Sequence, residues 1–331
     1  MSSQGVCIPN TRKIGFVSSV NGIRYQLYLG VPYEAEPEEG YATLYILDGN
    51  EYFATAVAAV RASRNAPAVL VVGVGYPEDA KFANDVLRRY GNIPQWLANR
   101  PRHVIAQGLR RIFDFTPPAS QGELARQNVL GMLDLRPEDV GGVSAFLRIV
   151  EEEVKPIIAA QFRINRMRDA IFGHSFGGLA VSNALFVSPH SFRSFIVSSP
   201  SLWWNRESVL RKEAAFANAV AHAGVSPRVL ITIGGDERLA TSLRNSEVAG
   251  AEWKSLVKRS RMFSNARALS MRLRSLRGSP EYKVEFAIFE KQDHGIAGTP
   301  AIARGVRFAF DSDAGGPTSK GHGDPESLAF A

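Results

Sequence analysis

Cysteine is almost missing from this chain. Cys7 is the only one, so no intrachain disulfide can form and nothing points to an oxidising compartment. Long apolar runs are missing too. No stretch of 18 apolar residues occurs, which leaves no candidate for a transmembrane helix. The opening MSSQGVCIPNTRKIGF lacks the continuous apolar centre of a secretory signal, so the expectation is a cytoplasmic protein without a membrane partner. No internal repeat and no linker-like stretch divides the chain. Acidic residues are scarce between 238 and 277, where ten Arg or Lys face only Glu247 and Glu252. That stretch reads as a basic helical region, either a solvated face or an electropositive rim beside a binding site. Apolar residues are few in DSDAGGPTSKGHGDPESLAFA, residues 311–331, a composition that predicts a disordered tail.

The remainder is rich in apolar residues, 45% of 331 positions, enough for a core without disulfide or metal staples. Residues 12–19 and 23–30, joined through Val-Asn-Gly, read as a β-hairpin. ATLYILDG (42–49) and PAVLVVGVGYP (67–77) are near-continuous apolar runs ending in Gly or Pro, as expected of strands buried on both faces. A stretch from 91 to 140 has weak periodicity and reads as a long excursion. VSAFLRIVEEEVKPIIAAQF (143–162) has helical spacing, with Phe146, Ile149, Val150 and Val154 on one face. Strands are predicted at 168–173, 192–197, 228–233 and 282–289, and helices at 176–187, 207–222, 240–277 and 299–310. Strands alternating with helices after an opening hairpin imply an α/β fold with a mostly parallel sheet and one antiparallel edge. The simplest organisation is one domain over 12–310, with 238–277 as a basic lid or insert.

The chemistry-bearing motif is Gly173-His174-Ser175-Phe176-Gly177, a G-x-S-x-G sequence between an apolar strand and an apolar helix. Such a strained turn lifts a serine oxygen above the sheet, and small neighbours let the backbone pass. Serine needs a base to take its proton, and the base needs an orienting acid. Of six histidines, His103 precedes the serine, His174 adjoins it with its ring turned away, and His190 and His222 fall near helix ends. His322 lies in the tail. His294, in a loop just after the last strand, is where a base belongs. The acid is expected after the strand RVLITI, where Asp236 and Glu237 follow Gly234-Gly235. Glu237 is preferred, Asp236 is the alternate, and Asp293 is a weaker rival. For the oxyanion, one donor is the Phe176 amide, and the turn after YILD offers the amides of Gly49 and Asn50.

Taken together, LYILDGNEYF (44–53), VVGVGYP (71–77), RRIFDFTPP (110–118), GGVSAFLRIVEEEVKPII (141–158), FGHSFGGLAVSNALF (172–186), SPSLWWN (199–205), GGDE (234–237) and DHG (293–295) resemble the putative-esterase family of α/β-hydrolases. The resemblance is to its siderophore branch, the enterobactin, salmochelin and bacillibactin esterases. It implies an α/β-hydrolase fold, Ser175 as nucleophile, His294 as base, and Gly49 and Phe176 at the oxyanion. Family members vary in the acid, and some work nearly as a Ser–His dyad. Trp203 and Trp204 would lie near the pocket, where aromatic walls suit ring-bearing acyl groups. Arg110 and Arg111 would meet an anionic ligand or pair with Asp114.

The expected activity is therefore hydrolysis of a carboxylic ester, with a siderophore or aromatic ester preferred and an anionic ferric siderophore within range. No metal, no cofactor and no nucleic-acid partner is expected. Two other readings remain at this level. One is an acyltransferase on the same fold. The other is a non-catalytic protein using its basic surface to hold an anion or nucleic acid.

Overall fold

The computed structural model of the chain describes residues 7–89, 99–127, 135–238 and 260–311. Among these residues one eight-stranded sheet forms: β1 (Thr11–Val17), β2 (Arg24–Gly30), β3 (Tyr41–Leu47), β4 (Val69–Gly75), β5 (Ile164–His174), β6 (Ser194–Ser198), β7 (Arg228–Gly234) and β8 (Lys283–Phe289). Their spatial order is β1-β2-β4-β3-β5-β6-β7-β8. β1 and β2 pair antiparallel, as do β2 and β4. All pairings from β4 across to β8 are parallel. This is the α/β-hydrolase arrangement with its antiparallel N-terminal edge.

The connecting helices are α1 (Gly49–Ala62), α2 (Ala80–Leu87), α3 (Arg102–Phe115), α4 (Gln121–Gln127), α5 (Val143–Ile149), α6 (Lys155–Ala159), α7 (Phe176–Val187), α8 (Glu213–His222), α9 (Met262–Arg274) and α10 (Gly298–Phe310). Strand pleating sends alternate residues to opposite faces. Leu44 and Ile46 of β3 join a core with Tyr52 and Ala56 of α1 and Ile302 and Val306 of α10. Tyr45 and Leu47 point into the opposite core, with Phe115, Phe146, Leu179 and Phe195. Burial on both faces is why these strands read as unbroken apolar runs.

Two segments differ from the sequence expectation. Much of the stretch from 91 to 140 is helical, not an excursion: α3 buries Ile105, Ala106, Leu109 and Ile112 at helical spacing. Arg110 and Asp114 sit on that same buried side, 5% and 0% exposed, paired to each other, and these two charges blur the apolar stripe. Pro117 and Pro118 follow the helix and prevent its continuation. The second segment is the helix expected over 143–162. It is interrupted by a π-helical turn, Val150–Val154, and ends at Ala159. Pro156 has no N–H to give to a carbonyl one turn earlier, and the wider turn absorbs that mismatch.

Residues 239–259 of the basic stretch and 312–331 of the expected tail lie outside the described residues. In the described part, Arg272 pairs with both oxygens of Glu213 (2.7 and 2.9 Å), and Arg238 lies 3.3 Å from Glu290. No helix among the described residues is long and apolar enough to cross a membrane.

Candidate active site

Parallel strands bring their C-terminal ends to one edge, and the loops leaving β3, β5, β6, β7 and β8 meet there. β5 ends at His174 and α7 begins at Phe176. The residue between them, Ser175, has φ 59 and ψ −116, a strained conformation for a side-chain-bearing residue. A Cβ on Gly173 would collide with the Gly177 carbonyl oxygen, so the turn requires glycine there. The Ser175 N–H donates to the Ser198 carbonyl (3.0 Å), and its carbonyl accepts from the amides of Leu179 (3.0 Å) and Ser201 (3.1 Å). The strained turn is thus held by its neighbours.

His294 follows β8 in a short turn. Asp293 Oδ1 accepts from the amides of Gly295 (2.9 Å) and Ile296 (3.2 Å), which assigns Asp293 to the loop rather than to the imidazole. The Gln292 carbonyl accepts from the Asp236 amide (3.1 Å), tying this turn to the 3-10 turn Gly235–Arg238 after β7. His294 Nε2 lies 3.0 Å from Ser175 Oγ, and its Nδ1 lies 2.8 Å from Glu237 Oε2. Of the two candidate acids, Glu237 therefore faces the ring, while Asp236 is engaged through its backbone. A carboxylate only accepts, so the proton of the neutral ring sits on Nδ1 and a lone pair on Nε2 faces the serine hydroxyl. The Glu237 carboxylate is buried, whereas the His294 ring is 40% exposed. A reacting molecule can reach the imidazole but not the carboxylate.

His174 also packs into this cluster. Its ring lies 4.8 Å from that of His294, tilted by 39°, and its Nδ1 is 3.0 Å from Ser198 Oγ. Burial, followed by repulsion from His294 whenever that ring carries a second proton and from the Arg111 guanidinium, holds its pKa well below the usual histidine value, so the ring stays neutral.

Gly49, Asn50 and Phe176 are the first residues of α1 and α7. Their amides have no carbonyl one turn earlier and point out of helix N-termini, where negative charge is favoured. β3 and β5 are adjacent, with Ile46 opposite Phe172, so both helix starts fall at the same level of the sheet edge. Arg111 links them: its guanidinium grips both oxygens of Asp48 (2.8 and 2.9 Å) and reaches the His174 carbonyl at 3.4 Å. Asp48 precedes α1 with φ 54. The Asn50 side chain bonds the backbone N–H and carbonyl of Tyr76 (2.7 and 2.9 Å), which leaves its amide, rather than its side chain, as the group on offer.

The expected pocket residues divide. Trp204 is fully buried and its indole N–H donates to the Pro117 carbonyl (2.9 Å). It is a core residue, and the expectation that it lines the pocket is corrected. Trp203 is half-buried, with its ring centre 6.0 Å from Phe176 and its N–H donating to Met262 Sδ (3.1 Å). Arg110 is paired with buried Asp114, which also accepts from Tyr25 and Tyr76 (3.0 Å each); of its two expected roles it takes the pairing with Asp114, inside the core. Arg111 keeps 22% exposure beside Phe176, with two of its nitrogens already committed to Asp48.

Residues missed at the sequence level are the hydroxyls after β6. Ser199 Oγ donates to Glu237 Oε1 (2.6 Å), alongside the Gly234 amide (2.9 Å). Ser201 Oγ lies 3.4 Å from Ser175 Oγ. The available signal was the run Ser198-Ser199-Pro200-Ser201 at a strand's C-terminal end. Among the described residues no group of three or more His, Cys, Asp or Glu side chains is arranged to hold a metal ion.

Comparison with known proteins gives a consistent result. A sequence model of the family described as "Putative esterase" matches residues 109–278. The chain is 28% identical over 324 residues to the ferri-bacillibactin esterase BesA of Bacillus subtilis (strain 168), covering 94% of this chain and 93% of that protein. It is 29% identical over 321 residues to a siderophore triacetylfusarinine C esterase of Aspergillus fumigatus, covering 92% and 95%. Among solved structures, the siderophore hydrolase EstB from Aspergillus nidulans superposes with a TM-score of 0.70 at 25% identity, over 93% of this chain and 98% of that one.

Proposed function

The chain belongs to the putative-esterase family, a carboxylic ester hydrolase family, and from that premise we propose that it cleaves siderophore esters through a Ser175–His294–Glu237 triad. The observation that carries this reading is the placement of one imidazole between a hydroxyl at 3.0 Å and a carboxylate at 2.8 Å. Ser175 Oγ attacks the ester carbonyl carbon while its proton passes to His294 Nε2. The carbonyl oxygen takes the negative charge and is stabilised by the Phe176 amide and by the amide of Gly49 or Asn50. Glu237 keeps Nδ1 protonated and stabilises the imidazolium. Collapse of the tetrahedral centre breaks the ester C–O bond, and His294 returns the proton to the leaving alcohol. Water, deprotonated by the same ring, then hydrolyses the acyl-serine.

The substrate class rests on two supports. Relatives aligned over more than nine-tenths of this chain are named siderophore esterases. Beside the serine stand Phe176, the half-buried ring of Trp203 and the cation of Arg111, surfaces that suit an aromatic or anionic acyl group. The test is incubation of the protein and its Ser175→Ala variant with ferric and iron-free triester siderophores, with products separated by chromatography. Hydroxy-acid fragments from the wild type alone are expected. Equal, slow breakdown in both samples, with simple esters cleaved normally, would remove siderophores as the substrate class.

A further inference from the structure

Three hydroxyls leave the end of β6 and meet three different members of the site: Ser198 at His174, Ser199 at Glu237 and Ser201 at Ser175. Ser199 is the one whose presence needs a reason. Its φ is 40, in the left-handed region that glycine enters freely and other residues enter at a cost. It is fully buried, so it touches no substrate and confers no solubility. Its backbone N–H is already satisfied by the Thr232 carbonyl at 2.8 Å. Glycine would satisfy the backbone with less strain, and what it would lack is the hydroxyl.

Among the described residues that hydroxyl has one hydrogen-bond partner, Glu237 Oε1, at 2.6 Å. Glu237 reaches His294 from a 3-10 turn on a side chain with three rotatable bonds. Left to itself, such a side chain populates several rotamers and exchanges its two oxygens by rotation. Ser199 and the Gly234 amide both donate to Oε1, leaving Oε2 to face Nδ1 of His294. The charge-assisted bond from the serine is the side-chain half of that clamp.

We propose that Ser199 is a positioning residue that holds the Glu237 carboxylate in the orientation that aligns His294 with Ser175. It acts through Glu237, so the proposal rests on the reading of Glu237 as the acid. Its strained backbone is retained for the sake of the hydroxyl.

The test is a double-mutant cycle read on p-nitrophenyl butyrate, with melting curves for every variant: wild type, Ser199→Gly, Glu237→Ala, and both together. Ser199→Gly is expected to lower kcat about tenfold, as for loss of one hydrogen bond to a charged group, with KM within about twofold. Relief of strain offsets the lost bond, so its melting temperature stays within roughly 4 °C of wild type. On the Glu237→Ala background the same substitution changes kcat less than about twofold, because the group it positions is gone. Should Ser199→Gly not fold, Ser199→Ala takes its place in the cycle with the same expectation. An unchanged kcat in the single variant overturns the proposal while leaving the triad reading intact, and so does an equal fall in both backgrounds. Wild-type activity in Glu237→Ala overturns both.

Discussion

His174 lies with its ring 4.8 Å from that of His294 and tilted by 39° to it, so two imidazoles of very different exposure pack against each other beside the serine. The buried member is held neutral by desolvation first and by neighbouring positive charge second. In the unfolded chain the same ring takes a proton below about pH 6.5. A base whose folded pKa is depressed lends stability that is complete above 6.5 and is lost as pH falls below it. The loss is up to about 1.4 kcal/mol per pH unit. The stability difference between wild type and His174→Asn is therefore expected to shrink as pH drops from 7 to 5, measured by urea denaturation. A difference that stays constant over that interval removes the buried, neutral histidine from the account.

Arg111 and Asp48 are expected to matter for fold and rate together. Asp48 is buried and its two oxygens are held by one guanidinium, so Arg111→Ala leaves a buried charge without its partner. A loss of about 3 kcal/mol is expected, with a fall in kcat because Asp48 anchors the turn that presents Gly49 and Asn50. Arg111→Lys should rescue little, since an ammonium cannot grip both oxygens. Thermal melts and initial rates decide this; a Lys variant with wild-type values for both would contradict it.

The two neighbouring carboxylates should separate cleanly. Glu237→Ala is expected to reduce kcat by roughly 10⁴-fold, the scale seen when a triad acid is removed, while Asp236→Asn stays within about twofold of wild type. Reversal of that order would move the acid to Asp236.

The paired tryptophans should behave oppositely as well. Trp204 is fully buried and hydrogen-bonded to Pro117, so Trp204→Ala should cost about 3–5 kcal/mol of stability. Trp203 is half-buried beside Phe176, and Trp203→Ala should chiefly raise KM for aryl esters. Melting curves and Michaelis plots for the two variants distinguish core from pocket.

Much of the architecture was legible because its signals are local. Apolar runs ending in Gly or Pro marked β3 and β4 as strands covered on both faces, and the glycines around Ser175 marked a strand-to-helix turn that only small residues permit. The order of Ser175, Glu237 and His294 along the chain also matched loops on one sheet edge. What resisted reading was non-local. Whether Asp236 or Glu237 faces His294 depends on the 3-10 turn after β7, and adjacent residues in a turn point apart. Trp203 and Trp204 differ by one position, yet for the same reason one is half-buried beside Phe176 and the other fully buried. α3 was hidden because its buried face contains Arg110 and Asp114, a pair that looks like surface until their partners across the core are known. Ser199 was invisible because a serine run at a strand end is common, and only its φ and its contact with Glu237 set it apart.

The central claim is that Ser175 attacks the ester, and p-nitrophenyl butyrate hydrolysis by the wild type beside Ser175→Ala tests it most directly. Turnover by the wild type with the variant at or near the solution background, a loss on the order of 10⁴-fold or more in kcat, is the predicted result. A variant as active as the wild type would show that another group performs the attack and would contradict the account.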